Sequence, residues 1–499
     1  FNWNEMRSIA HFLGRLLYGI ALVMLLPLAT ALVFREWDPA LDYVVGISAT
    51  AFVATLLVNL GGDARNLSRR EALIISGLAW LTATALGALP LVLSGHYGSY
   101  LDAAFEAASG FTTSGLTLTQ NADHLANAHN MWRHLTHLLG GQGIIVAAVS
   151  LAIGIKGGAF SLYLAEARDE QILPNVVHTA RFIWFVTGTY VVLGTLALTV
   201  VGLWHGMSLD RGFLHAFWLT IAAYDTGGFA PQSQNMLYYH SALFEVVTVV
   251  AMLAGTLNFN LHADMWRGDK GEIFHNLEAR TLAANVLILT AFTGAAMGAS
   301  RWFSGPAEIV RKGAYHIISA NSGTGHQTLY TAQWADVGPG AFYAVILAMA
   351  FGGMMSSTAG GIKAMRIGLM IKAVVLEIRR VLSPHTAVVR IKFHHLTDRQ
   401  LTPELVAGAL MMFALYIVTY ITGGLIGAAY GYPLDQALFE SVSAAANVGL
   451  STGITSPTMP TGLKILYTAQ MWFGRLEFFT LLALVVAIFT TGVPRRTRA

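Results

Sequence analysis

The chain has 499 residues, no cysteine and a formal net charge of +3. Charged residues are 11% and hydrophobic residues 55%, with a mean hydropathy of +0.56, whereas a soluble protein carries about 25% charged residues. Such a chain cannot clothe a water-soluble domain, which excludes an ordinary cytosolic enzyme and a disordered protein; the missing cysteine excludes disulfide scaffolds and thiolate metal sites, and the weak, scattered charge offers nucleic acid nothing.

The remaining class is an all-α polytopic membrane protein. The chain opens on Phe1 rather than Met, as a trimmed start would, and residues 1–8 lack the layout of a cleavable signal. A bilayer core asks for about 20 apolar residues per helix. Such stretches lie near 9–34, 41–60, 71–94, 131–155, 181–203, 239–261, 281–300, 339–372, 404–429 and 463–491, about ten crossings. Shorter, half-polar segments intervene near 99–116, 210–228, 308–325 and 434–449, too short to cross alone. With the N-terminus inside, 22 of the 30 Lys and Arg fall on the cytoplasmic side, in 1–15, 61–71, 156–181, 262–280, 363–399 and 495–498. That asymmetry predicts both termini inside. It also makes each half-polar segment a loop that enters and leaves on the outer side.

The loops repeat. Residues 103–116 align without a gap on 437–450, with six of fourteen positions identical, Phe105/Phe439, Glu106/Glu440, Ser109/Ser443 and Gly115/Gly449 among them. The other two loops end in Asp225-Thr226-Gly227-Gly228 and Ser322-Gly323-Thr324-Gly325. Gly115, Gly228, Gly325 and Gly449 are then equivalent, spaced 113, 97 and 124 residues apart. Four span–loop–span units with two extra N-terminal helices result. Their expected limits are 1–66 for the added pair, then 67–175, 176–275, 276–385, and 386–499 with a cytoplasmic linker.

Four loops of one orientation can surround one axis. Non-helical backbone at membrane depth is tolerated only inside protein or beside water. Each loop begins as a short helix whose carboxyl end carries about half a negative charge. The carbonyls that follow can replace the hydration of a cation. Glycine suits a position that needs φ > 0. The expected cation ligands are Thr112, Thr113, Ser114 and Gly115; Asp225, Thr226, Gly227 and Gly228; Ser322, Gly323, Thr324 and Gly325; and Ala446, Asn447, Val448 and Gly449.

The units resemble the Trk/Ktr/HKT superfamily of cation transporters, most closely the TrkH type, over nearly the whole chain. The motifs are Ser109–Gly115, Ser322–Gly325, Val448–Gly453, Ser357–Lys363 and Gly474-Arg475-Leu476-Glu477. The first two spans look like the pair added in TrkH-type proteins. Glycine in all four filters implies K⁺, serine in the first Na⁺. The sequence leaves a Na⁺-permeable or H⁺-coupled relative open. The resemblance also implies a homodimer in a bacterial inner membrane. It further implies a cytosolic ring of TrkA/KtrA-type nucleotide-binding regulatory subunits, for which the eight basic residues of 363–399 offer a docking surface. Asp225 and His326 depart from the neutral and aromatic residues usual there. Asp225 is open to two readings, a direct ionic role or a buried hydrogen bond to the neighbouring pore helix.

The span 339–372 is broken by Gly352, Gly353, Ser356, Ser357, Thr358, Ala359, Gly360 and Gly361. Such a run holds no helix at low cost. By resemblance it is an intramembrane loop that blocks ion flow. Arg475 falls near mid-bilayer, where an unpaired Arg costs ~3 kcal/mol, so it faces protein or water. Resemblance puts it against this loop; pairing with Glu477 is the structural alternative. Lys363 marks the loop's cytoplasmic exit. Glu106 and Glu440 read as ties between short helices and their neighbours. His134 and His137 read as membrane-surface residues, and Gly140–Gly143 and Gly423-Gly424 as helix-packing faces. No nucleotide motif is present, and convergent glycines in place of convergent acids and bases argue against an intramembrane enzyme.

Overall fold

A computed structural model describes residues 3–61, 67–143, 146, 176–300, 303, 305–330, 333–334, 336–384 and 387–490. The basic clusters at 156–175 and 495–498, and residues 147–155 of the fourth apolar stretch, lie outside the described residues. The architecture is all-helical and polytopic, with one small hairpin.

The chain opens with α1 (Trp3–Val23), α2 (Leu25–Phe34) and α3 (Trp37–Gly61). Arg35 turns the chain in a left-handed conformation at φ 58°, its N–H returning to Leu32 O. Close packing of α1 on α3 depends on small residues: a Cβ on Gly14 would lie 2.7 Å from Ala54 O. Next come α4 (Arg69–Gly87), α5 (Tyr100–Phe111) and α6 (Asn127–Gln142). Ser68 and Glu71 close a capping box on α4, satisfying two of the orphan amides at its start.

The pattern of long helix, short helix, loop and second helix then recurs. It appears in α7 (Val176–Trp204), α8 (Leu209–Tyr224) and α9 (Ala242–Thr256), with α10 (Phe259–Arg267) after them. It appears again in α11 (Leu277–Ser300), α12 (Pro306–Ser322) and α13 (Pro339–Ala350), followed by α14 (Ala364–Leu382). The hairpin β1 (Lys392–His395) and β2 (Thr397–Gln400) leads into α15 (Pro403–Ala429), α16 (Leu434–Ala445), α17 (Thr461–Arg475) and α18 (Phe479–Thr490).

Among the described residues, six helical spans are long and apolar enough to cross a bilayer, or up to eight if each bent helix pair is one span. Their outward faces are apolar: Phe52, Leu193, Val200, Ile288, Phe292, Val418 and Leu425 are exposed. The polar groups lie within, with Thr113, Ser114, Asp225, Thr226 and Asn447 fully buried. That inversion suits a hydrocarbon solvent.

The sequence points to one broken span, but the structure breaks more. The stretch 239–261 bends by 100° between α9 and α10, and 463–491 bends by 114° between α17 and the helix after it. Both breaks follow a glycine pressed against the end of a short helix, and Gly140 of α6 is pressed in the same way. A Cβ on Gly140 would sit 1.7 Å from Phe111 O, on Gly255 1.7 Å from Tyr224 O, and on Gly474 1.9 Å from Ala445 O. The third unit uses a side chain at this level: Asn321 Nδ2 donates to Phe351 O at 2.5 Å.

Candidate functional site

The four short helices α5, α8, α12 and α16 end in loops of one geometry. In each, the amide of the third loop residue returns to a carbonyl five residues back: Ser114 to Ser109, Gly227 to Ala222, Thr324 to Ser319 and Val448 to Ser443, at 2.8–2.9 Å. Two residues per loop are left-handed, not one. The second is the expected glycine, with φ 78° at Gly115, 78° at Gly228, 82° at Gly325 and 96° at Gly449. The first is Thr113, Thr226, Gly323 or Asn447, at φ 54°, 51°, 78° and 57°. Alternation of right- and left-handed backbone is what turns successive carbonyls to one side.

The loops close into a ring. A Cβ on Gly115 would lie 2.3 Å from Gly227 O, on Gly228 1.9 Å from Thr324 O, on Gly325 1.9 Å from Val448 O, and on Gly449 2.3 Å from Ser114 O. Each glycine therefore faces a carbonyl of the next loop, in the order one, two, three, four and back to one. Only glycine lets the backbones come this close. Asn447 Nδ2 adds a cross-link to Ser114 Oγ at 2.8 Å. Four helix carboxyl ends converge on the ring and make it electronegative.

Buried acids hold the short helices. Glu106 accepts from Thr117 Oγ1, Thr119 Oγ1 and the Leu118 amide, and pairs with Arg133 Nε at 2.9 Å. The Arg133 guanidinium lies 4.3 Å over the Phe229 ring and reaches Ala230 O, tying the first unit to the second. Glu440 accepts from Ser451, Thr452 and Thr455 of its own loop. Removing one partner of a buried pair costs about 3–5 kcal/mol. Glu106→Ala is accordingly expected to destabilise by about that much, against a smaller loss for Glu440→Ala, which strands hydroxyls but no cation. Thermal unfolding in detergent checks the order.

His134 and His137 are not at the membrane surface. Both are fully buried, because that face of α6 packs on α8 and the second loop. His134 stacks on Trp218 at 5.7 Å. His137 Nδ1 lies 2.9 Å from Gly110 O, and its Nε2 accepts the Phe229 amide at 3.2 Å. Asp225 lies with its carboxyl against Gly141 and accepts from Gln142 Nε2 at 2.5 Å. The carboxyl is buried and hydrogen-bonded, but its partner ends α6 and is not on the neighbouring short helix that the sequence reading named. His326 Nδ1 meets Asn235 Oδ1 at 3.0 Å, and Asn235 Nδ2 donates to Gly228 O at 3.1 Å. Asn235 had no sequence signal, since it lies outside the repeated motifs.

The segment between α13 and α14 lies against the ring at the carboxyl ends of the short helices. A parallel bridge joins Phe351 to Ile362. A Cβ on Gly352 would meet Gly360 O at 1.8 Å, and one on Gly360 would meet Ala446 O at 2.4 Å. Thr358 Oγ1 donates toward Tyr224 O (3.0 Å) and Gly255 O (2.9 Å) and lies 3.2 Å from Thr226 Oγ1. Gly353, Ser356, Ser357, Ala359 and Gly361 are buried with it. Lys363 stands at the loop's end, but its ammonium is turned inward onto Ala359 O.

Arg475, the last residue of α17, completes this floor. Its Nη1 donates to Thr358 O at 2.5 Å and to Thr113 Oγ1 at 3.3 Å. Its Nη2 donates to Gly140 O at 2.5 Å and Gly141 O at 3.1 Å. One guanidinium thus joins the loop between α13 and α14, the first of the four ring loops and the end of α6. Glu477 pairs with Arg366. Gly140 and Gly141 are packing glycines as expected, and they also supply these carbonyls. Gly423 and Gly424 pack α15 on Ser441, Gln470 and Leu438.

Fold and site together define a polytopic helical membrane transport protein built around a ring of backbone carbonyls. A family model described as TrkH, cation transport protein, matches residues 45–491. The chain belongs to that family, one of transporters and not of enzymes. It is 28% identical over 487 residues to an uncharacterised cation transporter of Methanocaldococcus jannaschii, covering 97% of this chain and 96% of that one. It is 29% identical over 514 residues to the Trk system potassium uptake protein TrkH of Halomonas elongata, covering 99% and 100%. The Escherichia coli K12 protein of the same name is 28% identical over 498 residues, covering 97% and 99%. The crystal structure of the potassium transporter TrkH from Vibrio parahaemolyticus superposes with a TM-score of 0.83 at 24% identity, covering 97% of this chain and 99% of that one. This shared fold extends over both chains.

Proposed function

We propose that the chain carries K⁺ across a bacterial inner membrane, with Thr112–Gly115, Asp225–Gly228, Ser322–Gly325 and Ala446–Gly449 as the filter. The observation that carries this reading is the closed ring in which each of four left-handed glycines faces the next loop's carbonyl. A cation shed of water needs several oxygens at once, and a ring of backbone dipoles offers them without a fixed charge to trap it. The names of the potassium uptake relatives agree with K⁺ as the ion. Gly352–Lys363 and Arg475 form the barrier on the inner side.

The same reading makes 67–175, 176–275, 276–385 and 386–499 the four units and places both termini in the cytoplasm. It includes a homodimer and a TrkA/KtrA-type nucleotide-binding ring docking on the basic segment 363–399. The Asp225 carboxyl accepts from Gln142 through Oδ1, and passive conduction and H⁺ coupling both remain readings for the flux test.

Purified protein in liposomes tests this. Under opposed K⁺ and Na⁺ gradients, K⁺ flux is expected to exceed Na⁺ flux and to persist when a pH gradient is collapsed at clamped voltage. Equal K⁺ and Na⁺ flux would turn the reading to a Na⁺-permeable relative. Loss of flux with the pH gradient would turn it to a symporter.

A further inference from the structure

The hairpin between α14 and α15 is connected to the loop under the ring by a chain of buried polar groups. Strands β1 and β2 pair antiparallel, His395 opposite Thr397, and Leu396 at the turn is left-handed at φ 58°. The Leu396 amide donates to Glu272 Oε1 at 3.0 Å, while Glu272 Oε2 lies 2.8 Å from His394 Nε2. The other His394 nitrogen lies 2.7 Å from Asp398 Oδ1. Bonds to Asp398 and then Glu272 raise the pKa of His394, favouring its cationic form between the two carboxylates.

The chain continues inward. Asn276 Nδ2 donates to Glu272 Oε1 at 2.9 Å, and its Oδ1 accepts the Glu278 amide at 2.9 Å. The buried His395 places Nδ1 3.8 Å from Glu278 Oε2. Glu278 is fully buried, and its Oε1 accepts the Met355 amide at 2.8 Å. Met355 belongs to the loop itself. A cavity of about 570 Å³ lies beside this point, lined by Asn260, Met355, Met365, His395, Arg399 and Leu405 among others. It gives the loop room to shift.

We infer that Glu278 is the positioning residue of the loop, and that displacement of the hairpin Lys392–Gln400 reaches the loop through it. The inference rests on reading the loop as the barrier. A segment rich in glycine and serine has few side chains to anchor it, so a charged acceptor on one of its amides has a large share in where it rests. A hydrogen bond to a charged group is stronger than a neutral one. Truncating Glu278 leaves the half-buried Met355 amide without this acceptor, whereas glutamine keeps a neutral one.

The test uses the full chain in liposomes, with Ser357→Cys as a reporter on a background that has no cysteine. Labelling by a membrane-impermeant thiol reagent and K⁺ leak are read together. Glu278→Ala is expected to raise both by roughly tenfold, the population shift of one lost charge-assisted bond. Glu278→Gln and His395→Ala are expected to give smaller rises with an unchanged melting temperature. A folded Glu278→Ala with parental labelling and leak, beside an Arg475→Ala that leaks, overturns this inference alone. If Glu278→Ala fails to fold, parental labelling in both Glu278→Gln and His395→Ala overturns it. Absence of leak in Arg475→Ala as well removes the barrier reading and this inference with it.

Discussion

Arg475→Ala is expected to raise basal K⁺ flux about tenfold or more in liposomes. The side chain donates to Thr113 Oγ1, Thr358 O, Gly140 O and Gly141 O. Removing it frees the loop from the first of the four ring loops and takes a donor from Thr358 O, at about 1–3 kcal/mol. It also withdraws a positive charge from beside a ring on which four helix carboxyl ends converge. Both changes favour conduction, and a shift of 1.4 kcal/mol is already tenfold in population. Arg475→Lys separates them: it keeps the charge but cannot reach four acceptors on three elements in a fixed plane. A flux for Lys between those of Arg and Ala supports both contributions. Parental flux from folded Arg475→Ala would remove the barrier role.

The ring was legible because repetition supplied it. Gly115 and Gly449 sit in matched fourteen-residue segments, and Gly228 and Gly325 follow at one unit's spacing. A residue that must be glycine leaves a mark no other type can imitate. In three of the loops the first left-handed position carries no such mark. Thr113, Thr226 and Asn447 adopt φ 51–57°, which in isolation is unfavourable for threonine; it is the surrounding hydrogen bonds that impose it. Sequence reasoning cannot see a strain that tertiary structure offsets.

The broken helices show the same limit. Gly352-Gly353 and the run to Gly361 announce a break by density alone, whereas Gly255 and Gly474 are single glycines in apolar spans. Such glycines are common in membrane helices. What distinguishes these two is the carbonyl each presses on, a partner about 30 residues earlier in the chain and invisible to local pattern. His134 and His137 failed for the opposite reason. Polar residues at helical spacing suggest a wet face, but here the interior itself is polar, and the histidines brace two units.

Gly115→Ser is expected to lower the K⁺/Na⁺ flux ratio roughly tenfold or more. The position has φ 78°, and a Cβ there would lie 2.3 Å from Gly227 O. An ordinary carbon–oxygen contact is about 3.3 Å, so that carbonyl must retreat by about 1 Å. A left-handed serine adds about 1–2 kcal/mol of backbone strain. The retreat takes an oxygen out of the ring at one of four corners, while the serine hydroxyl offers a movable ligand in its place. Discrimination between ions of one charge depends on the number and stiffness of the oxygens that replace water, so the ratio falls before conduction is lost. Gly228→Ser is expected to be harsher, because its Cβ would lie 1.9 Å from Thr324 O, and to abolish flux. Gly95 supplies the control. It is also left-handed, at φ 74°, but a Cβ there meets nothing within 4 Å. Gly95→Ser should thus bear the backbone strain and leave the ratio unchanged. If Gly115→Ser keeps the parental ratio in folded protein, the ring does not set selectivity. If Gly95→Ser alters it as much, strain anywhere in the fold would account for the loss, and the crowding of Gly115 against Gly227 O would explain nothing.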